Sequence, residues 1–270
     1  MIKMIAIDLD GTLLDDNKKI SMQNKIAIKQ AKNMGAKIII ASGRPYFRVK
    51  EILKKLTLNE PLDYVITYNG GAILLGDGSK KIYESKLKNK DIIQIIDFIN
   101  KYNGGILLYQ DNHIFCFHFD KNIASLKVFA GINFEEQTVE KLKSKNMANK
   151  IILADNGALI DKVKEKLPKK FKKNYNIVRS TNNFLEFLPK KVSKGIAIKK
   201  LATMFKISKN EIMVIGDEEN DLSMFSYAKV KVAMGNASAS IKAHASYITT
   251  SNNDSGVAQA IEYFLINKKN

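Results

Sequence analysis

An apolar run, Met4 to Ile7, leads without a break into Asp8-Leu9-Asp10-Gly11-Thr12. This junction restricts the fold more than any other stretch of the chain. A strand without polar alternation is one buried on both faces, as in a parallel sheet covered by helices. Its polar continuation then emerges at the carboxyl edge, where open α/β sheets carry their sites. Residues two apart on a strand project to the same side, so Asp8 and Asp10 can face one small volume. Two carboxylates that close repel unless a cation or a proton lies between them. Gly11 lets the chain turn at once and a ligand approach the backbone. A metal-assisted site suits these residues better than a structural strand end.

The rest of the chain supplies the sheet. A helix is expected at about 21–34, with Ser21 as N-cap and Gly35 as stop. The strand Lys37 to Ala41 precedes Ser42-Gly43-Arg44-Pro45, with a helix at 45–56, and Tyr64 to Thr67 is a third strand ending at Asn69-Gly70-Gly71. Such βαβαβ alternation implies parallel pairing with right-handed crossovers. The pattern then changes to hairpins at 72–84, 106–119 and 177–188, with helices at 91–102 and 157–167 and a strand at 150–153. The α/β rhythm returns with a helix at 195–206, the strand 212–215, the run Gly216-Asp217-Glu218-Glu219-Asn220-Asp221, a further helix, and short strands near 230–233 and 247–249. The expected organisation is one α/β domain from residues 1–83 and 189–270, with an α+β domain, 84–188, inserted in it.

The second acidic run repeats the chemistry of the first. Asp217, Asn220 and Asp221 stand at i, i+3 and i+4, which share a face at a helix start. If strand 212–215 neighbours strand 4–7, then Asp8, Asp10, Asp217 and Asp221 converge on one edge. Oxygen ligands without His or Cys select a hard cation, Mg²⁺ first. Ser42 and the Gly43 amide sit where a helix start would hold an oxyanion. Lys194 opens a helix after Val192-Ser193, placed to neutralise a carboxylate or a phosphate.

Charge has to be weighed against this. The net charge is +17, yet only three of the 44 basic residues are Arg, namely Arg44, Arg48 and Arg179. Arg is the residue preferred for bidentate phosphate and base contacts, and the lysines are spread along the chain, so nucleic acid is not the expected partner. Lys169-Lys170-Phe171-Lys172-Lys173 reads as a solvated loop. His113 and His118 flank Cys116 at a spacing that suits zinc, but the alternating Phe115, Phe117 and Phe119 make them ordinary strand residues. The lone cysteine excludes an internal disulfide and suits a reducing compartment. The apolar N-terminal stretch is too short for a signal peptide and no run approaches a membrane span, so the cytoplasm is expected. The tail 267–270 is expected to fray.

Taken in order, Asp8-Leu9-Asp10-Gly11-Thr12, Ser42, Lys194 and Gly216-Asp217-Glu218-Glu219-Asn220-Asp221 resemble the four motifs of the haloacid dehalogenase-like superfamily. The insertion of about 100 residues between the second and third motifs resembles the type IIB cap of the Cof-like sugar phosphatases. Asn69-Gly70, Ala233-Met234-Gly235-Asn236-Ala237, Thr250-Ser251-Asn252 and Gly256-Val257-Ala258 extend the similarity, and Gly71, where many relatives have Ala, is a small departure. The resemblance implies a Rossmann-like parallel core with an inserted α+β cap, and a phosphoric monoester hydrolase acting on small phosphorylated metabolites. Sugar phosphates come first, then cofactor phosphates such as FMN or pyridoxal phosphate. It implies Asp8 as nucleophile and Asp10 as general acid and base. Mg²⁺ would be held by Asp8, the Asp10 backbone carbonyl and Asp217, supported by Asp221, while Leu9, Ser42, Gly43, Lys194 and Asn220 hold phosphoryl oxygens. A phosphosugar mutase and a non-catalytic polyanion-binding module are the alternatives, and a monomer or a homodimer is expected.

Overall fold

The computed structural model describes residues 1–118, 133–141 and 147–266, which divide into two compact units, Met1–Glu84 with Ser193–Asn270 and Ser85–Val192. In the first unit the apolar runs become a sheet of eight strands. From one edge they are Tyr247–Ile248, Val230–Ala233, Ile212–Gly216, Met4–Ile7, Lys37–Ala41, Tyr64–Thr67, Ala72–Leu75 and Lys81–Glu84. The first six pair in parallel and the last two return antiparallel. Every residue of the two central strands is buried, which accounts for their lack of polar alternation. The fold is thus the α/β parallel sheet expected of the chain.

Register is what gathers the polar residues. Ile7 lies opposite Ile215 on one side and Ile40 on the other. The three strands therefore release Asp8, Gly216-Asp217 and Ser42 at nearly one level of the carboxyl edge. The helix Met22–Asn33 starts at Ser21, whose hydroxyl accepts the Asn24 amide at 3.1 Å. The helix Lys194–Phe205 is capped the same way by Ser193 and stopped by Lys206 in a left-handed conformation. The expected helix 45–56 is interrupted. Tyr46–Arg48 form a tight turn beyond Pro45, and only Lys50–Lys55 are α-helical. Ser42 and Gly43 consequently stand in a loop and not at a helix start.

The second unit has a six-stranded sheet in the order Tyr175–Thr181, Phe184–Pro189, Lys150–Ala154, Gly105–Gln110, His113–Phe117 and Glu135–Glu136. The helix Asn89–Asn100 buries Ile92, Ile95, Ile96 and Ile99 in a core shared with Ile151, Leu153 and Phe187. The lysine-rich stretch is not a loop: Lys169–Asn174 is a helix. Phe171 is buried among Phe98, Tyr175 and Phe187, and one aromatic anchor of that size outweighs the preference of its lysines for solvent, which they keep by facing outward. His113 lies in a strand with Nδ1 2.9 Å from Glu135. His118 falls just past the strand end with φ +59°, a correction to its reading as a strand residue, and Cys116 is buried. No helix of the described residues is long and apolar enough to cross a membrane. The tail 267–270 lies outside the described residues.

Candidate active site

Lys194 is the centre of the carboxyl edge. It is completely buried at the first turn of its helix, and its Nζ donates to Asp8 Oδ1 at 2.5 Å and to Asp221 Oδ1 at 2.7 Å. The other Asp221 oxygen accepts the Asp217 and Glu218 amides at 3.0 and 3.2 Å. Asp217 Oδ1 takes a 2.6 Å hydrogen bond from the Thr12 hydroxyl, and Asp217 forms no ion pair among the described residues. The carboxylates of Asp8, Asp217 and Asp221 each offer an oxygen, and these oxygens lie within 4.8 Å of one another. Among the described residues no other group of His, Cys, Asp and Glu gathers in this way.

Electrostatics follow from that count of charges. Burial pushes Asp217 up to about 9, reinforced by the negative charges of Asp8 and Asp221. Asp8 rises to about 7, again chiefly by burial, with Lys194 pulling it back. Burial would lower Lys194, but Asp221 and Asp8 outweigh it and hold the ammonium above its ordinary range. Three carboxyl groups against one ammonium hold protons that a compact divalent cation would displace. An all-oxygen donor set of this kind suits a hard ion such as Mg²⁺.

Asp10 takes no part in the carboxylate group. Its side chain pairs with Arg44, whose Nε and Nη2 donate to the two carboxylate oxygens at 2.8 and 2.5 Å, with Lys18 Nζ 3.3 Å away. Burial would raise Asp10, but the Arg44 hydrogen bonds and charge, helped by Lys18, hold it below the usual carboxylate range. Leu9, between the two aspartates, is wholly buried. Ser42 is buried, and its hydroxyl accepts the Arg44 amide at 3.1 Å, which leaves the hydroxyl proton free to donate. Gly43 lies against the Asn69 side chain, and Asn69 in turn accepts from Asn220 Nδ2 at 3.0 Å. Asn220 Oδ1 is buried without a hydrogen-bond partner, a costly arrangement away from a ligand site. Arg44, Thr12, Lys18 and Asn69 are contributors to which the sequence assigned no role, although Thr12 and Asn69 stand within its motifs.

Two glycines make the geometry possible. Gly11 has φ +76° and its Cα faces the Asp217 carboxylate so closely that a Cβ would collide with it. Gly70, at φ +96°, abuts the Ser193 carbonyl just before Lys194. Gly11→Ala is expected to cost roughly 1–3 kcal/mol of stability through backbone strain and to displace Asp217. A drop in both melting temperature and turnover is the expected readout, and a variant matching the unsubstituted protein in both would refute it.

The model of the haloacid dehalogenase-like hydrolase family matches residues 5–261. A Streptococcus pyogenes protein is 34% identical over 272 residues, covering 98% of this chain and 99% of that protein. The 5-amino-6-(5-phospho-D-ribitylamino)uracil phosphatase YwtE of Bacillus subtilis is 33% identical over 288 residues, covering 98% of each. A solved structure from Thermotoga maritima superimposes with a TM-score of 0.81 at 31% identity, covering 98% of each chain. On a match that runs nearly from end to end, the chain belongs to the haloacid dehalogenase-like hydrolases and is a phosphatase among them.

Proposed function

We propose that this enzyme is a cytoplasmic, Mg²⁺-dependent phosphatase of small phosphorylated metabolites that works through an aspartyl-phosphate on Asp8. The observation that carries the reading is the convergence of Asp8, Asp217 and Asp221 around Lys194. Asp8 Oδ attacks phosphorus in line, the bond to the leaving oxygen breaks, and Asp10, which must first take up a proton against the pull of Arg44, supplies the proton that oxygen needs. Water then attacks the aspartyl-phosphate, Asp10 takes its proton, and phosphate leaves with Asp8 restored. Lys194 pulls Asp8 back toward its ionised form against the effect of burial and lies beside it to meet a phosphoryl oxygen. The Ser42 hydroxyl donates to another, and Leu9, Gly43 and Asn220 complete the cradle that the motifs imply. Mg²⁺, when held by Asp8, Asp217 and the Asp10 backbone carbonyl with Asp221 in support, supplies charge that lets a carboxylate approach a phosphate dianion.

In this reading, the unit Met1–Glu84 with Ser193–Asn270 is the catalytic core and the inserted unit is its cap. Placement in the cytoplasm rests on the single buried thiol, Cys116. For the substrate, two curated relatives from Bacillus subtilis, 33% and 31% identical, are named phosphatases of a phosphorylated ribityl-aminouracil. That naming favours primary phosphate esters on a polyhydroxylated carbon chain, which includes sugar phosphates and FMN. The test is phosphate release from a panel of sugar, polyol, nucleotide and cofactor monophosphates, with Mg²⁺ or with a chelator, on wild type and Asp8→Asn. Release that needs both the cation and Asp8 is expected. Equal release by the Asn variant would overturn the nucleophile, and equal release in chelator would overturn the metal.

A further inference from the structure

The side chain that acts on the leaving group is held by a residue outside the carboxylate group. Arg44 grips both oxygens of Asp10 from the neighbouring strand–loop junction, through two different guanidinium nitrogens. Its own position is fixed twice over. The Arg44 amide donates to Ser42 Oγ at 3.1 Å, and the Arg44 carbonyl accepts the Tyr68 amide at 3.2 Å. The Asp10 side chain, by contrast, is 41% exposed and its other cationic neighbour, Lys18, is itself 61% exposed. A short carboxylate that open to water adopts several rotamers unless something selects one. A planar guanidinium with two parallel donors fixes orientation as well as position, which a single ammonium cannot do.

We propose that Arg44 is a positioning residue for Asp10, setting the direction from which its carboxyl meets the leaving oxygen. This rests on the reading of Asp10 as general acid and base. The loss of Arg44 then acts through Asp10 alone and falls on substrates that need a proton delivered. Alkyl phosphates need one because an alkoxide is a poor leaving group, whereas p-nitrophenyl phosphate releases a stable phenolate without help. General acid catalysis by a positioned group is worth about 10²- to 10⁴-fold, so a carboxyl that is present but unaligned forfeits a measurable part of that.

The test compares kcat/KM for a primary sugar phosphate and for p-nitrophenyl phosphate in wild type, Arg44→Gln, Arg44→Lys, Asp10→Asn and the Arg44→Gln/Asp10→Asn double variant. In Arg44→Gln the sugar phosphate is expected to lose about tenfold or more beyond the loss on the aryl ester, mainly in kcat. Arg44→Lys, with one charge but no fork, should restore part of the ratio. The double variant should show the ratio of Asp10→Asn alone, since residues acting through one group are not additive. A ratio unchanged in Arg44→Gln, or losses that multiply in the double variant, would overturn the proposal. Circular dichroism melting of each variant separates a folding defect from a shift in the ratio. If wild type releases no phosphate from either ester, the phosphatase reading itself has failed, a result distinct from active enzyme with an unmoved ratio.

Discussion

Lys194→Met is expected to lose nearly all turnover and, at the same time, roughly 3–5 kcal/mol of stability, the cost of leaving buried charge without its partner. Methionine preserves the unbranched stem and most of the volume, so the change isolates the ammonium. In its absence Asp8, Asp221 and Asp217 face one another with no counter-charge, two of them within 2.7 Å of an ammonium that is gone. Asp221 keeps the backbone amides of Asp217 and Glu218; Asp8 keeps nothing of comparable strength. Turnover suffers because a fixed cation beside the reacting carboxylate and the incoming phosphate is removed, an effect of about 10²- to 10³-fold for a single preorganised group. Added Mg²⁺ should therefore raise the melting temperature of Lys194→Met by more than it raises that of wild type. Chemical denaturation with and without Mg²⁺ measures both quantities. A variant as stable as wild type in chelator would show that Lys194 is not the counter-ion on which this cluster depends.

Why some of these contacts could be read from the chain and others not comes down to range. The strands Met4–Ile7 and Ile212–Gly216 are legible because two-sided burial leaves an unbroken apolar run, although burial itself continues past each run to Asp8 and Asp217. That a carboxylate follows both is visible, and parallel register does the remainder by setting Ile7 opposite Ile215. Lys194, one of many lysines, is legible only through its motif, because nothing local distinguishes a wholly buried lysine from an exposed one. The Arg44–Asp10 clamp spans 34 residues and the Thr12–Asp217 hydrogen bond 205, and no periodicity records a contact made across loops. The helix Lys169–Asn174 escaped notice for the opposite reason: four lysines dominate the local pattern, while the single residue that decides its packing is Phe171. The break in the expected 45–56 helix comes from the tight turn at Tyr46–Arg48, where Pro45 suits either outcome.

Asp217→Asn separates function from stability in the opposite sense to Lys194→Met. In metal-free protein Asp217 titrates near 9 against an ordinary 3.8. The folded chain therefore holds a proton that the unfolded chain gives up between those values. Where the native state binds more protons, stability falls as pH rises. The contribution is intact below about pH 4 and is lost progressively as pH climbs toward 9, with Asp8 adding the same sign on its way to about 7. Asparagine has no proton to lose, and its carbonyl can still accept from Thr12. In chelator the variant is thus expected to be at least as stable as wild type at neutral pH, with its advantage growing from about pH 5 to about pH 8. With Mg²⁺ the ranking reverses, because a neutral amide is a poorer ligand and wild type alone gains strongly by binding. Turnover should fall about a hundredfold or more, the scale of damage seen when a metal site is disturbed even from outside its ligand set. Calorimetric melting across that pH range, in chelator and in Mg²⁺, together with phosphate release, tests the three statements. A variant that is less stable than wild type in chelator at pH 8, or that turns over normally in Mg²⁺, would mean that Asp217 is a structural carboxylate and that the cation is held elsewhere.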